Sequence, residues 1–203
     1  MVLSGTIVNV AVPDVMGAFG VGQSEVQLMS TAFMIAMTTG QLLNAWLVAV
    51  VGQRWVFLGT LVLFTVGSFV AGAAESFDMV VFGRVLQGTA AGVIQPLVMV
   101  TIFQAYPEGN RGTALGVYVM GLVGAASVGP PLGGIAIELF NWRYIFYAPL
   151  ILVGIAAPLG TLFMPNERSD NPPKFDWLGY ILIGIALYCL MTGVSNGPRE
   201  GWS

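Results

Sequence analysis

Six uncharged runs, each long enough to cross a bilayer as a helix, dominate this chain of 203 residues. A transmembrane helix needs about 20 apolar residues. We therefore predict an all-α integral membrane protein. An apolar segment at residues 1–13 precedes the runs, and because it is too short to cross, we interpret it as the second half of a truncated first helix. The six predicted spans occupy residues 26–53, 55–74, 85–107, 112–137, 144–166 and 177–198.

The composition excludes several kinds of site. Only 8% of the residues are charged, 56% are hydrophobic, and there is no basic run that would indicate a nucleic-acid partner. The absence of histidine removes Ser-His hydrolases and His-ligated metal sites. A single cysteine, Cys189, cannot form an intrachain disulfide. We expect that the protein is not an enzyme and that it binds no metal or cofactor. We expect it to be embedded in the lipid bilayer.

The positive charges predict the orientation and the domain organisation. More Lys and Arg residues fall on the side reached after the second, fourth and sixth helices, which favours a cytoplasmic N-terminus in the cell membrane. The larger set is Arg54, Arg111, Arg168 and Lys174, and the smaller is Arg143 and Arg199. The predicted organisation is a helix bundle at 1–165, a cytoplasmic loop at 166–176, a seventh helix at 177–195 and an extracytoplasmic end at 196–203.

Small residues recur every four positions on three of the predicted helices. This spacing places them on one helix face and predicts close helix packing. The fifth helix also contains Pro130 and Pro131, which predict a kink or a break and therefore a candidate hinge. The small residues are Ala32, Ala36 and Gly40, then Gly88 and Gly92, then Gly121, Ala125, Gly129 and Gly133.

A polar stripe on the fourth helix is the main candidate functional feature. Arg84, Gln87, Ala91 and Gln95 are spaced by three, four and four residues, which places them on one face over about three helical turns. A charge at the centre of a membrane helix costs about 2.5–3.5 kcal/mol, so it usually faces a protein-lined or wet interior. The alternative is that Arg84 snorkels to the nearby interface.

Further polar residues suggest an aqueous cavity, although each alone is explained by an interhelical hydrogen bond. No Asp or Glu falls in the middle of a span, so a carboxylate proton carrier is not visible. The further polar residues that suggest a cavity are Thr6, Asn9, Gln41, Asn44, Tyr118 and Ser127.

Five segments together resemble the major facilitator superfamily, and within it the fourteen-helix drug/proton antiporters of the EmrB/QacA type. The fourth-helix segment RVLQG (84–88) and the fifth-helix segment GPPLGG (129–134) are similar to that subfamily's motifs. The other matching segments are TIVNVAVP (6–13), NWRYIFY (141–147) and FDWLG (175–179).

The resemblance implies a bundle of two inverted three-helix repeats, one extra linker helix and a C-terminal transporter half. It implies a small-molecule substrate, protons as the coupling ion and a role for Arg84 in that coupling. It also implies an antiporter kink, formed by Gly129, Pro130, Gly133 and Gly134.

The sequence departs from the subfamily at two places. Ser4 stands where an acidic residue is usual, and Ala49 and Val50 replace an Asp-Arg pair. Only Gly52 and Arg54 of that loop motif remain.

The leading functional prediction is proton-coupled export of small amphipathic compounds by alternating access. Arg84, Gln87, Gln95, Asn9 and Thr6 are the predicted coupling and cavity residues. Two alternatives stay open: an uncoupled metabolite or sugar facilitator, and a non-transporting half that acts as an interaction protein.

Overall fold

The computed structural model describes residues 1–166, 168 and 172–196, and the secondary structure in this part of the chain is helical throughout. Six segments in the described part are long and apolar enough to cross a membrane, which confirms the predicted all-α membrane fold. We number them as spans 1 to 6: Val2–Phe19, Gln23–Val51, Gln53–Gly72, Phe77–Ala105, Glu108–Leu139 and Tyr144–Phe163.

Three of these spans are interrupted or composite. Span 1 consists of helix Val2–Ile7, a 3-10 turn at Val8–Ala11 and helix Val12–Phe19. Span 2 combines Gln23–Val26 with Leu28–Val51, and span 6 combines Tyr144–Tyr147 with Leu150–Phe163. The seventh helix is Trp177–Asn196.

Span 1 is longer than predicted. The helical path continues through Pro13 to Phe19, and Gly20 ends it with a positive φ of 64°. Pro13 lies in the first turn of helix Val12–Phe19, where a backbone N–H has no partner within the helix, so the ring is tolerated. The helical path of span 1 therefore extends beyond residues 1–13 and is long enough to cross a membrane.

Span 4 begins at Phe77 rather than at residue 85. The side-chain hydroxyl of Ser76 accepts a hydrogen bond from the backbone N–H of Met79 at 3.3 Å and so caps the helix. Asp78 occupies the first turn, where the helix dipole favours a negative charge. Asp78 therefore lies at the start of the helix, and Arg84 lies inside the span.

Span 5 is a continuous helix through Pro130 and Pro131, so no break occurs there, and the kink stays a prediction. Both prolines lie on the exposed side of the helix, whereas Gly129 and Gly133 are buried. Two missing N–H donors are tolerated in a helix of 32 residues when its remaining ladder is intact.

Glycines allow spans 2 and 4 to pack backbone against backbone, as the small-residue pattern predicts. A Cβ added at Gly40 would lie 2.7 Å from the carbonyl oxygen of Thr89. One at Gly88 would collide with the carbonyl oxygen of Phe33, and one at Gly92 with that of Met37. The pattern fails at Gly121 of span 5, where nothing lies within 4 Å of an added Cβ.

The seventh helix is placed beside span 2 by aromatic contacts at its start. The rings of Trp46 and Phe175 are 5.0 Å apart, and Phe175 lies 4.7 Å from Trp177. On the outer surface, large apolar side chains such as Met120 and Phe163 are 68% and 79% exposed, as expected for a surface that faces lipid.

We expect Gly88→Ala to lower stability by about 1–3 kcal/mol, because the new methyl group meets a backbone carbonyl that cannot move alone. Gly59→Ala in span 3 is the matched control, since nothing lies within 4 Å of its added Cβ. Thermal unfolding of both variants in the same detergent checks this. Equal midpoints for the two would contradict the tight packing of spans 2 and 4.

Candidate functional site

The guanidinium of Arg84 lies at the meeting point of spans 1, 2 and 4 and is fully buried. Its Nε donates to the carbonyl oxygen of Met29 at 3.3 Å. Its Nη1 donates to the carbonyl oxygen of Ser4 at 3.2 Å, to the Ser4 hydroxyl at 3.1 Å and to Oε1 of Gln87 at 2.9 Å. The snorkelling alternative is therefore wrong, because the side chain is held inside the bundle.

Gln87 extends this network to span 3. Its Nε2 donates to the hydroxyl of Ser68 at 2.8 Å, while the Ser4 hydroxyl donates to its Oε1 at 3.4 Å. Ser68 and Gln87 are both fully buried. The network thus joins side chains or carbonyls of the first four spans.

The aromatic ring of Phe33 covers one face of the guanidinium, with its centroid 4.0 Å from Cζ. A cation over an aromatic face gains about 2 kcal/mol or more when water is excluded. Phe33 is itself buried, so this contact lies in a desolvated environment.

No carboxylate compensates the charge of Arg84 in the described part of the chain. The ion pair found there joins Arg111 to Glu108 at 3.7 Å, in the first turn of span 5. In addition, Nη2 of Arg84 is buried without any hydrogen-bond partner. An unsatisfied buried donor costs about 1–3 kcal/mol and more when it is charged, so this nitrogen is a high-energy feature of the site.

A cavity of about 710 Å³ adjoins this network and is bounded mainly by spans 1, 2, 4 and 5. Arg84 and Phe33 both belong to its lining. Most of the lining is apolar, with residues such as Met34, Met37 and Leu122. The polar lining residues are Thr6, Asn9, Ser30, Arg84, Gln95 and Tyr118.

The cavity thus contains four of the five residues that the polar pattern selected as coupling or cavity residues, namely Arg84, Gln95, Asn9 and Thr6. Gln87 does not line it, because its amide is turned toward Ser68. The stripe on span 4 therefore divides between a buried network and a cavity wall.

Two polar residues of span 2 serve interhelical contacts. The amide of Gln41 donates to Oε1 of Gln95 at 3.2 Å, and that of Asn44 donates to the carbonyl oxygen of Val93 at 2.7 Å. Ser127 is exposed on span 5 and lies outside the cavity lining.

Sequence reasoning missed three groups that contact Arg84 or its partner. These are the carbonyl of Met29, the ring of Phe33 and the hydroxyl of Ser68. A carbonyl carries no sequence signal, and a phenylalanine in a membrane helix is unremarkable. Ser68 was detectable as a polar residue in span 3, but its pairing with Gln87 depends on the rotation of two helices.

The GPPLGG segment places two of its glycines against span 1. A Cβ at Gly129 would collide with the hydroxyl of Thr6, and one at Gly133 would lie 2.8 Å from Cγ1 of Ile7. Pro130 is exposed, and nothing lies within 4 Å of a Cβ added at Gly134. The segment therefore sets the distance between spans 1 and 5.

The remaining loop motif joins spans 2 and 3. Gly52 has a φ of 96°, which a residue with a side chain rarely adopts, and it permits the tight turn. Arg54 lies within the third span, and its Nε donates to the carbonyl oxygen of Met164 at 2.9 Å. These two residues fix the ends of spans 2, 3 and 6.

Comparison with known proteins identifies transporters that are similar in sequence to this chain. The chain is 34% identical over 202 residues to the uncharacterized MFS-type transporter YhcA of Bacillus subtilis, covering 100% of the chain and 38% of the relative. It is 31% identical over 203 residues to the multidrug export protein EmrB of Escherichia coli, covering 99% and 40%. It thus spans about two fifths of the length of these relatives.

A solved structure agrees at the level of the fold. The POT family transporter PepTSo superimposes with a TM-score of 0.60 at 16% identity, over 98% of this chain and 48% of that one. Residues 1–179 match the Major Facilitator Superfamily, which is most of the chain. The chain therefore belongs to the major facilitator superfamily.

Proposed function

We propose that the complete protein is a secondary transporter that exports small amphipathic molecules across the cell membrane by alternating access. The observation that carries this proposal is the cavity of about 710 Å³, which falls in the usual size range of small-molecule sites. Its apolar wall suits the apolar part of a substrate, and Asn9, Gln95 and Tyr118 offer polar contacts. The relative EmrB is a multidrug export protein.

The transport cycle requires a second bundle. In this type of transporter the substrate site lies near the bilayer midplane between two halves, which rock against each other. The described cavity is bounded by one bundle. We therefore propose a C-terminal half as the partner that completes the site, with the N-terminus in the cytoplasm.

Proton coupling of this export is proposed from the subfamily resemblance. The subfamily resemblance assigns Arg84 to coupling and the GPPLGG segment to antiport. However, no Asp or Glu belongs to the cavity lining in the described residues, and Ser4 contacts Arg84 where the subfamily has an acid. This observation favours an uncoupled facilitator as the second candidate function.

Arg84→Gln should lower efflux at least tenfold, because it removes the charge that joins spans 1, 2 and 4. Arg111→Gln is the matched control, since Arg111 lies in the first turn of span 5 and its guanidinium pairs with the exposed carboxylate of Glu108. The measurement is efflux of a fluorescent amphipathic dye from cells, normalised to the amount of inserted protein. Native efflux by Arg84→Gln would remove Arg84 from the transport mechanism.

We also expect weak dependence of efflux on an imposed pH gradient, because a serine hydroxyl does not titrate near neutral pH. Ser4→Asp supplies a carboxylate at this position and should strengthen the dependence, whereas Ser4→Asn is similar in size and cannot titrate. Efflux from proteoliposomes with and without the gradient distinguishes the two variants. Strong gradient-driven efflux that is identical for the native protein and both variants would show that position 4 has no bearing on coupling.

A further inference from the structure

We propose that the cavity binds an organic anion, a carboxylate carried on an apolar body, with the carboxylate held by Arg84. As an assignment of substrate class, this inference rests on the proposed transport function. As an assignment of a binding site, it rests on the geometry around Arg84 alone.

The positive charge of Arg84 favours an anionic ligand. Every hydrogen-bond acceptor around the guanidinium of Arg84 is neutral: two carbonyl oxygens, the Ser4 hydroxyl and the amide oxygen of Gln87. Neutral acceptors orient the cation but leave its net charge uncompensated. A positive charge that is kept from water exerts a strong field at short range, so an anion is the complementary ligand.

Nη2 of Arg84 is a hydrogen-bond donor without a partner in the described part of the protein. Nε and Nη1 of Arg84 are engaged by protein groups, and the buried Nη2 has no partner. Phe33 covers a face of the guanidinium, which leaves hydrogen bonding to the in-plane edge. A carboxylate accepts hydrogen bonds from arginine in this plane, and such charge-assisted bonds are among the strongest in proteins.

A ligand gains access to Arg84 from the cavity. Arg84 and Phe33 belong to the lining of the same cavity, although Arg84 is fully covered by its neighbours. An anion therefore reaches Nη2 by displacing a neighbouring side chain. Met34 and Met37 also line this cavity, and methionine side chains adapt readily to a new neighbour.

The apolar wall of the cavity favours a ligand with an apolar body. A hydrated inorganic anion gains little from a wall that is mostly apolar. An apolar body attached to the carboxylate buries surface against residues such as Val98, Leu122 and Ile94. This favours an organic anion over chloride.

The experiment compares three ligands that share one skeleton and differ in charge: 2-naphthoate, 2-naphthamide and 2-naphthylmethylammonium. Binding to the complete gene product in lipid nanodiscs is measured by calorimetry, at neutral pH and in a buffer free of chloride and of carboxylates. We expect 2-naphthoate to bind at least tenfold more tightly than the amide and the ammonium compound. Equal affinities, or preference for the cation, would overturn the proposal.

Two variants at position 4 test the location of the site. Ser4→Asp places a carboxylate beside Arg84, so it should bind 2-naphthoate at least tenfold more weakly than Ser4→Asn, which adds similar bulk without charge. If Ser4→Asp does not fold, Arg84→Gln provides the same test, because it should abolish the preference for naphthoate over the amide. Unchanged preference in the folded variants would overturn the assignment to Arg84.

A chloride titration distinguishes the source of the anion. If millimolar chloride binds at Arg84 and the three naphthyl ligands do not discriminate, the site is inorganic and the proposal fails. The binding assay requires no transport, so naphthoate binding without efflux would refute the proposed function and leave the anion site intact.

Discussion

A buried guanidinium without an acidic partner is the constraint on which the centre of this bundle depends. Arg84 donates hydrogen bonds to Ser4 of span 1 and to the carbonyl oxygen of Met29 of span 2. Gln87, which also accepts from Arg84, connects it to span 3. A charge in hydrocarbon is costly, so these acceptors must be close and fixed. The helices that supply them cannot move apart without exposing the charge.

The glycine interface and the arginine network form one structural unit. A Cβ at Gly88 would collide with the carbonyl oxygen of Phe33, so the absence of this atom lets span 2 approach span 4. That approach brings the Phe33 ring to 4.0 Å from Cζ of Arg84. On span 3, a Cβ at Gly67 would lie 2.9 Å from the backbone nitrogen of Gln87. Small residues therefore determine how closely the charge is enclosed.

Sequence reasoning predicted the membrane spans and the polar side of span 4, because charge and helical spacing are visible in one dimension. It placed the start of span 4 too late, because a search for uncharged runs leaves out the helical turns that contain Asp78 and Arg84. It interpreted Pro13 as the end of span 1, although a proline in a first helical turn is tolerated. The division between Gln87 in the network and Gln95 at the cavity depends on neighbouring helices, which spacing along one helix does not determine.

The charge of Arg84 lacks a counter-ion among the described residues, and Ser4 stands at the position where one would fit. A double-mutant cycle in nanodiscs tests this directly, with thermal midpoints for the native protein, Ser4→Asp, Arg84→Gln and the double variant. Removal of one partner of a buried ion pair usually costs about 3–5 kcal/mol, because it leaves an uncompensated charge. We expect aspartate at position 4 to raise the midpoint when Arg84 is present and to lower it in the Arg84→Gln background. The same shift in both backgrounds would show that the two positions do not interact and that the charge of Arg84 is not available to a counter-ion at position 4.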